Sequence, residues 1–146
     1  MLNSKKIVYK ILNLYQMNKM SQIGIVSYNV LTEKYCNPES YPKNDPSDLN
    51  NKKRKNKIIE LISSWIKEGK VISLQEVSRE FSQVLYVFFS ENNYNFIYSS
   101  YGNEYNGYMG VGIAYPLKKY LLKDCKIKRI SEVFKNEFRE KKICEE

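Results

Sequence analysis

Val71-Ile72-Ser73-Leu74-Gln75-Glu76-Val77 is the stretch on which the fold turns, because its apolar run reads as a buried strand that ends by delivering one carboxylate. Gly69 stops the helical pattern ahead of it, so Glu76 falls at or just beyond the strand's C-terminal end. In an open α/β sheet that edge is where ligands bind. An isolated Glu in this place can also do no more than cap or solvate the following helix, and an upstream strand tips the balance away from that reading. Ile23 to Leu31 is rich in β-branched residues and carries Asn29 near its C-terminal end. Between the two strands, Ile58, Leu61, Ile62, Trp65 and Ile66 recur at three- and four-residue spacing. Strand, helix and strand then form a βαβ crossover with parallel strands, whose C-terminal ends share one edge. Asn29 and Glu76, 47 positions apart, are expected to face one cleft there. An amide and a carboxylate converging in this way suit a hard, oxygen-liganded cation such as Mg²⁺ and the phosphate it carries.

The rest of the chain continues the α/β pattern. Ser78 is placed to cap a helix bearing Phe81, Val84, Leu85, Phe88 and Phe89 on one face, which is core patterning. Tyr94 to Tyr101 and Gly110 to Tyr115 read as strands joined through a turn at Gly102 to Gly107, with Pro116 closing the second. Tyr98, Tyr101, Tyr105 and Tyr108 around that turn can stack on nucleobases or pack across the hairpin, and packing is the more ordinary use. Tyr120 to Ile130 reads as a further strand, and from Ser131 the pattern turns charged and helical. Residues 36 to 51, with three prolines, form a long loop that is a candidate substrate lip.

The motifs resemble a known family. Ser27-Tyr28-Asn29-Val30-Leu31 with Thr32-Glu33-Lys34-Tyr35-Cys36, followed by Ser73-Leu74-Gln75-Glu76-Val77, is similar to the opening of the endonuclease/exonuclease/phosphatase superfamily, within it the carbon catabolite repressor deadenylase, nocturnin and Angel branch. Tyr41-Pro42, the region from Leu49 to Arg54, and Gly110-Val111-Gly112-Ile113-Ala114-Tyr115 also match, so the similarity runs from about Ile23 to Ile130. It implies an α/β fold, the N-terminal half of a two-sheet sandwich, with residues 21–130 as a partial domain. It implies that Glu76 is a metal ligand for Mg²⁺, with Mn²⁺ as a substitute, and that Asn29 touches the metal and scissile-phosphate site. The implied activity is Mg²⁺-dependent phosphodiester hydrolysis of 3′-exoribonuclease or deadenylase type, on RNA or another phosphate ester. Two departures stand out. Asn50, Asn51, Lys52 and Lys53 occupy the place of the aromatic residue that usually precedes the Arg matched by Arg54. The family's later Asp-x-Asn and Asp-His motifs have no counterpart, and the sequence contains no histidine. The competing expectation is therefore a truncated, non-catalytic remnant or a basic nucleic-acid-binding module, with a partner chain or missing C-terminal half completing the sandwich.

Composition sets the remaining bounds. The 146 residues are 42% hydrophobic, with mean hydropathy −0.55, and no apolar run approaches the ~20 residues that cross a bilayer. Cys36, Cys125 and Cys144 show no CxxC spacing, which points to free thiols in a reducing, intracellular and cytoplasmic setting. Residues 1–20 are basic and mildly amphipathic and read as a dispensable leader or short helix; a mitochondrial-type leader stays open as an alternative, although they hold no Arg and a single Ser. Residues 131–146 are a charged tail. The net charge of +8 is uneven: residues 1–32 carry +4, 43–70 carry +4, 117–129 carry +5, and 71–116 carry −3. A basic periphery around an acidic centre suits a polyanion, although a Lys-rich solvated surface has the same composition. Clustered lysines that meet phosphates release counterions, so the chain is expected to bind single-stranded RNA weakly, with affinity falling steeply from low to physiological salt in a fluorescence-anisotropy titration. A flat salt dependence would refute the phosphate contact.

Overall fold

Residues 22–128 are described by the computed structural model, and within them Val71–Val77 is an interior strand of a four-stranded mixed sheet. The strands are β1 (Ile25–Asn29), β2 (Val71–Val77), β3 (Tyr94–Ser100) and β4 (Gly110–Pro116), and the helices are α1 (Asn51–Lys67) and α2 (Arg79–Glu91). The sheet order is β1-β2-β4-β3, with β1 and β2 parallel and the other pairs antiparallel. The βαβ crossover and the hairpin of the sequence reading are both present. The expectations for residues 1–20, for Arg129 and Ile130, for residues 131–146 and for Cys144 lie outside the described residues.

Local chemistry explains where each helix starts and stops. The Asn50 side chain accepts the Lys53 N–H at 3.1 Å, opening α1. At its far end Gly69 turns left-handed at φ 67°, and paired bonds from Gly69 N to Ile66 O and from Lys70 N to Trp65 O close a Schellman motif before β2 begins. Ser78 caps α2 by accepting the Phe81 N–H.

Both helices lie on one face of the sheet. Ile58 and Ile62 of α1 and Phe81, Leu85 and Phe89 of α2 meet Ile72, Leu74, Val77, Tyr94, Phe96 and Ala114 in one buried cluster. Phe89 stacks against Tyr94 and Phe96, with ring centroids 6.0 and 5.1 Å apart. The helical stripes are narrower than expected. Leu61 and Val84 are exposed, while Ile59 packs against the core. The opposite face presents Ile25, Ser27, Ser73, Gln75, Ile97, Ser99, Val111 and Ile113, a surface without a single charge in a chain that is 27% charged.

Two statements from the sequence need adjustment. Tyr120 to Lys128 carries no strand, and Leu121, Leu122 and Ile127 are exposed. A turn that returns the Lys119 and Tyr120 N–H groups to the Pro116 carbonyl carries the chain out of the sheet after β4, and this segment pairs with neither edge strand, β1 nor β3. The candidate lip from residue 36 to 51 contains a 3₁₀ turn at Pro46–Leu49 and is pinched near its base where the buried Cys36 thiol faces the Leu49 carbonyl at 3.6 Å. Among the described residues no helix is long and apolar enough to cross a membrane.

The aromatic cluster yields a direct test. Phe89→Ala empties a fully buried site and is expected to lower unfolding free energy by about 3–5 kcal/mol in a urea melt, whereas Val84→Ala on the same helix should change it by no more than about 0.5 kcal/mol.

Candidate functional site at the β1–β2 edge

Parallel pairing brings the ends of β1 and β2 level, with Asn29 opposite Gln75 and the Val30 N–H donating to the Gln75 carbonyl at 3.0 Å. Asn29 Nδ2 donates to Glu76 Oε1 at 2.7 Å, so the two residues singled out from the sequence are in direct contact. The amide's orientation is set from its other end, because Asn29 Oδ1 accepts the Leu31 N–H at 2.8 Å. Gln75 Nε2 reaches Ser27 Oγ and Ser73 Oγ beside them on the uncharged face.

Glu76 reaches that contact only because β2 is irregular. Strand alternation would give residue 76 the same face as Ile72 and Leu74, which is the core. Instead the register against β4 slips by one residue between Leu74 and Val77, and Glu76 adopts φ 55°, a left-handed bulge. The carboxylate turns out toward Asn29, and Val77 returns to the core. Leu31 also turns left-handed, at φ 52°, immediately past β1. Non-glycine residues in this region cost about 1–3 kcal/mol each, and two of them stand side by side at one sheet edge.

The second oxygen of Glu76 is the anomaly. Oε2 is buried and has no hydrogen-bond partner. The phenol of Tyr101, just beyond β3, is held above its usual range first by burial and then by the negative charge of Glu76. Glu33, a second acid at this end, is otherwise engaged. Its carboxylate accepts the Ser78 hydroxyl at 2.8 Å and faces Lys55 at 3.7 Å, and Lys55 in turn pairs with Glu80 at 2.8 Å. Among the described residues no group of three His, Cys, Asp or Glu side chains is placed to hold a metal ion.

One contact escaped the sequence. Arg54 Nη2 donates to the carbonyls of Val30 at 2.8 Å and Leu31 at 3.0 Å, tying the first turn of α1 to the end of β1. Tyr98 packs along the core and its hydroxyl lies 2.8 Å from the Tyr108 carbonyl and 3.2 Å from the Val77 carbonyl, a structural use, while Tyr105 is exposed and Tyr101 and Tyr108 are partly covered. The basic segments are also divided. Lys119 Nζ reaches the Gly69 carbonyl at 3.1 Å, which sets Lys119 beside the start of β2, at the end remote from Glu76. Lys52 and Lys53 on the first turn of α1 are on the Glu76 side.

No protein-family model and no curated protein matches this chain. The likeness to the endonuclease/exonuclease/phosphatase motifs rests on the residues quoted above.

Removing the Glu76 charge should be read by its neighbour. In Glu76→Gln the Tyr101 pKa is expected to fall toward the ordinary phenol value, because ionisation no longer faces a carboxylate, yet to stay above it through burial. The Tyr101 Cζ resonance followed by NMR against pH measures this.

Proposed function

We propose that this chain carries the cation- and phosphate-holding part of a phosphodiesterase site of the endonuclease/exonuclease/phosphatase kind, set in the first half of a two-sheet sandwich. The observation that carries the reading is the buried Glu76 Oε2 without a donor, next to an Oε1 that Asn29 already satisfies. Leaving a buried carboxylate oxygen unpaired costs about 1–3 kcal/mol or more, and a bound cation removes that cost. Mg²⁺ is commonly held by one or two carboxylates, with waters and substrate phosphates filling its other positions, so one acid at an open edge fits it. Glu76 Oε2 would hold Mg²⁺ or Mn²⁺, and the bound ion would polarise a phosphoryl oxygen.

Asn29 contributes as a donor. With Oδ1 committed to the Leu31 N–H and one Nδ2 hydrogen on Glu76, its second Nδ2 hydrogen is left to meet a phosphate oxygen. Asn29 therefore orients the ester and holds the carboxylate, and is not itself a cation ligand. Water activation is the missing element. The sequence has no histidine, and the described residues offer no further acid cluster beside Glu76. A positioned base typically contributes about 10²- to 10⁴-fold, so the chain by itself is expected to bind rather than to cleave. The uncharged sheet face, which the described residues leave largely uncovered around Ile25, Val111 and Ile113, supports a second layer supplied by a partner chain or a C-terminal half.

The second reading, a basic RNA-binding module without catalysis, draws on the lysine-rich segment 117–129, whose net charge is +5. It predicts binding indifferent to divalent ions and to Glu76. Under the first reading, Mn²⁺ bound to the purified chain, followed by electron paramagnetic resonance, should be lost by about tenfold or more in affinity in Glu76→Gln, and oligo(A) should remain intact with Mg²⁺. Mg²⁺-dependent cleavage of oligo(A) that Glu76→Ala abolishes would overturn the expected inactivity. Unchanged Mn²⁺ affinity in Glu76→Gln would overturn the site.

A further inference from the structure

Three successive hydrogen-bonded contacts link Arg54 to Glu76. Its guanidinium Nη2 bridges the carbonyls of Val30 and Leu31. Those carbonyls flank the left-handed Leu31, whose N–H holds Asn29 Oδ1, and Asn29 Nδ2 holds Glu76 Oε1. An unbroken series of bonds thus runs from the first turn of α1, through a strained backbone turn, to the carboxylate.

We infer that Arg54 is a positioning residue for Glu76, acting by locking the Val30–Leu31 turn in the conformation that aims the Asn29 amide. Leu31 has no glycine-like freedom to hold φ 52°, and the turn persists only if something outside it fixes both carbonyls. One nitrogen of a planar, weakly hydrated guanidinium can serve two adjacent carbonyls, whereas a lysine ammonium is strongly hydrated and carries no fixed plane. If the turn relaxes to a right-handed or extended conformation, the Leu31 N–H leaves Asn29 Oδ1, and the amide is free to rotate away from Glu76. The structural claim stands on these bonds alone. Its consequence for cation binding rests on the reading of Glu76 as a ligand.

The test uses the full ¹⁵N-labelled chain and two readouts, the Asn29 side-chain amide resonances and Mn²⁺ affinity. Arg54→Lys is expected to keep the overall amide fingerprint, to shift the Asn29 Nδ2 pair toward free-amide values, and to weaken Mn²⁺ binding about tenfold. Lys52→Met, a charge lost from the same helical turn, should alter neither. Leu31→Ile leaves Arg54 untouched but resists positive φ through its branched Cβ, so it should reproduce both effects and serves if Arg54→Lys does not fold. Arg54→Lys or Leu31→Ile chains that lose thermal stability yet keep the Asn29 amide shift would reduce Arg54 to a helix anchor and overturn the inference. A wild-type chain that binds no Mn²⁺ would sink the functional reading alone, because the Asn29 resonances would still decide the role of Arg54.

Discussion

At Glu76 the backbone of β2 turns left-handed while the residues before and after it remain paired, and this local misfit determines where the carboxylate goes. A regular strand would drive it under α2, among Leu74, Phe81 and Phe96, where an unpaired charge costs several kcal/mol. The bulge costs about 1–3 kcal/mol, which is the smaller penalty. A charge-assisted bond from Asn29 returns about 1.5–3 kcal/mol of that. The extra residue also restores Val77 to the core and brings Ser78 to the cap of α2. Strand end, helix start and carboxylate are thus set together. The partner strand is shaped to match: a Cβ at Gly110, opposite Val77, would strike the Ser99 carbonyl and the Tyr98 ring, and one at Gly112 would enter the Phe96 ring.

Distant loops hold this corner closed. The Arg79 N–H at the start of α2 donates to the Gly107 carbonyl, and the buried Thr32 hydroxyl reaches the Asn106 carbonyl at 3.3 Å across 74 positions. The Asn103 side chain caps a 3₁₀ turn at Glu104–Asn106, so the β3–β4 connection is ordered by its own polar groups and then clamped to the β1 end. Arg54 adds the helix side of the same clamp. Three separate segments therefore converge on the two left-handed residues, which is the condition for strained backbone to persist.

The elements were legible where periodicity and punctuation agree. Val71–Val77, the hairpin strands, the Ser78 cap and the Gly69 stop follow from apolar spacing and from residues with narrow backbone preferences. The approach of Asn29 to Glu76 was legible because a βαβ crossover leaves little choice of edge. The bulge was not, since no glycine or asparagine marks position 76. Arg54 was opaque because its acceptors are backbone carbonyls, which every residue has. Tyr120 to Lys128 misled for a different reason: its apolar residues resemble a strand, but the turn after Pro116 directs the chain out of the sheet, where it meets neither edge strand.

The division of basic charge also bears on ligand form. From Lys70 to Glu76 the strand rises roughly 20 Å at about 3.3 Å per residue, well beyond the Debye length of about 8 Å at physiological salt. Lys119, bonded to the Gly69 carbonyl at that far end, therefore exerts little field at Glu76, and any help it gives must come by direct contact with the same ligand. A small phosphate ester at the β1–β2 edge would touch Asn29, Glu76 and the nearby first turn of α1, and leave Lys119 unused. For the phosphodiesterase reading, only an extended polyanion joins the two ends of the sheet, with salt-dependent affinity arising at the remote edge and cation dependence at the other. That separation makes the contributions of Lys119 and Glu76 independent, because neither charge is close enough to change the local chemistry of the other.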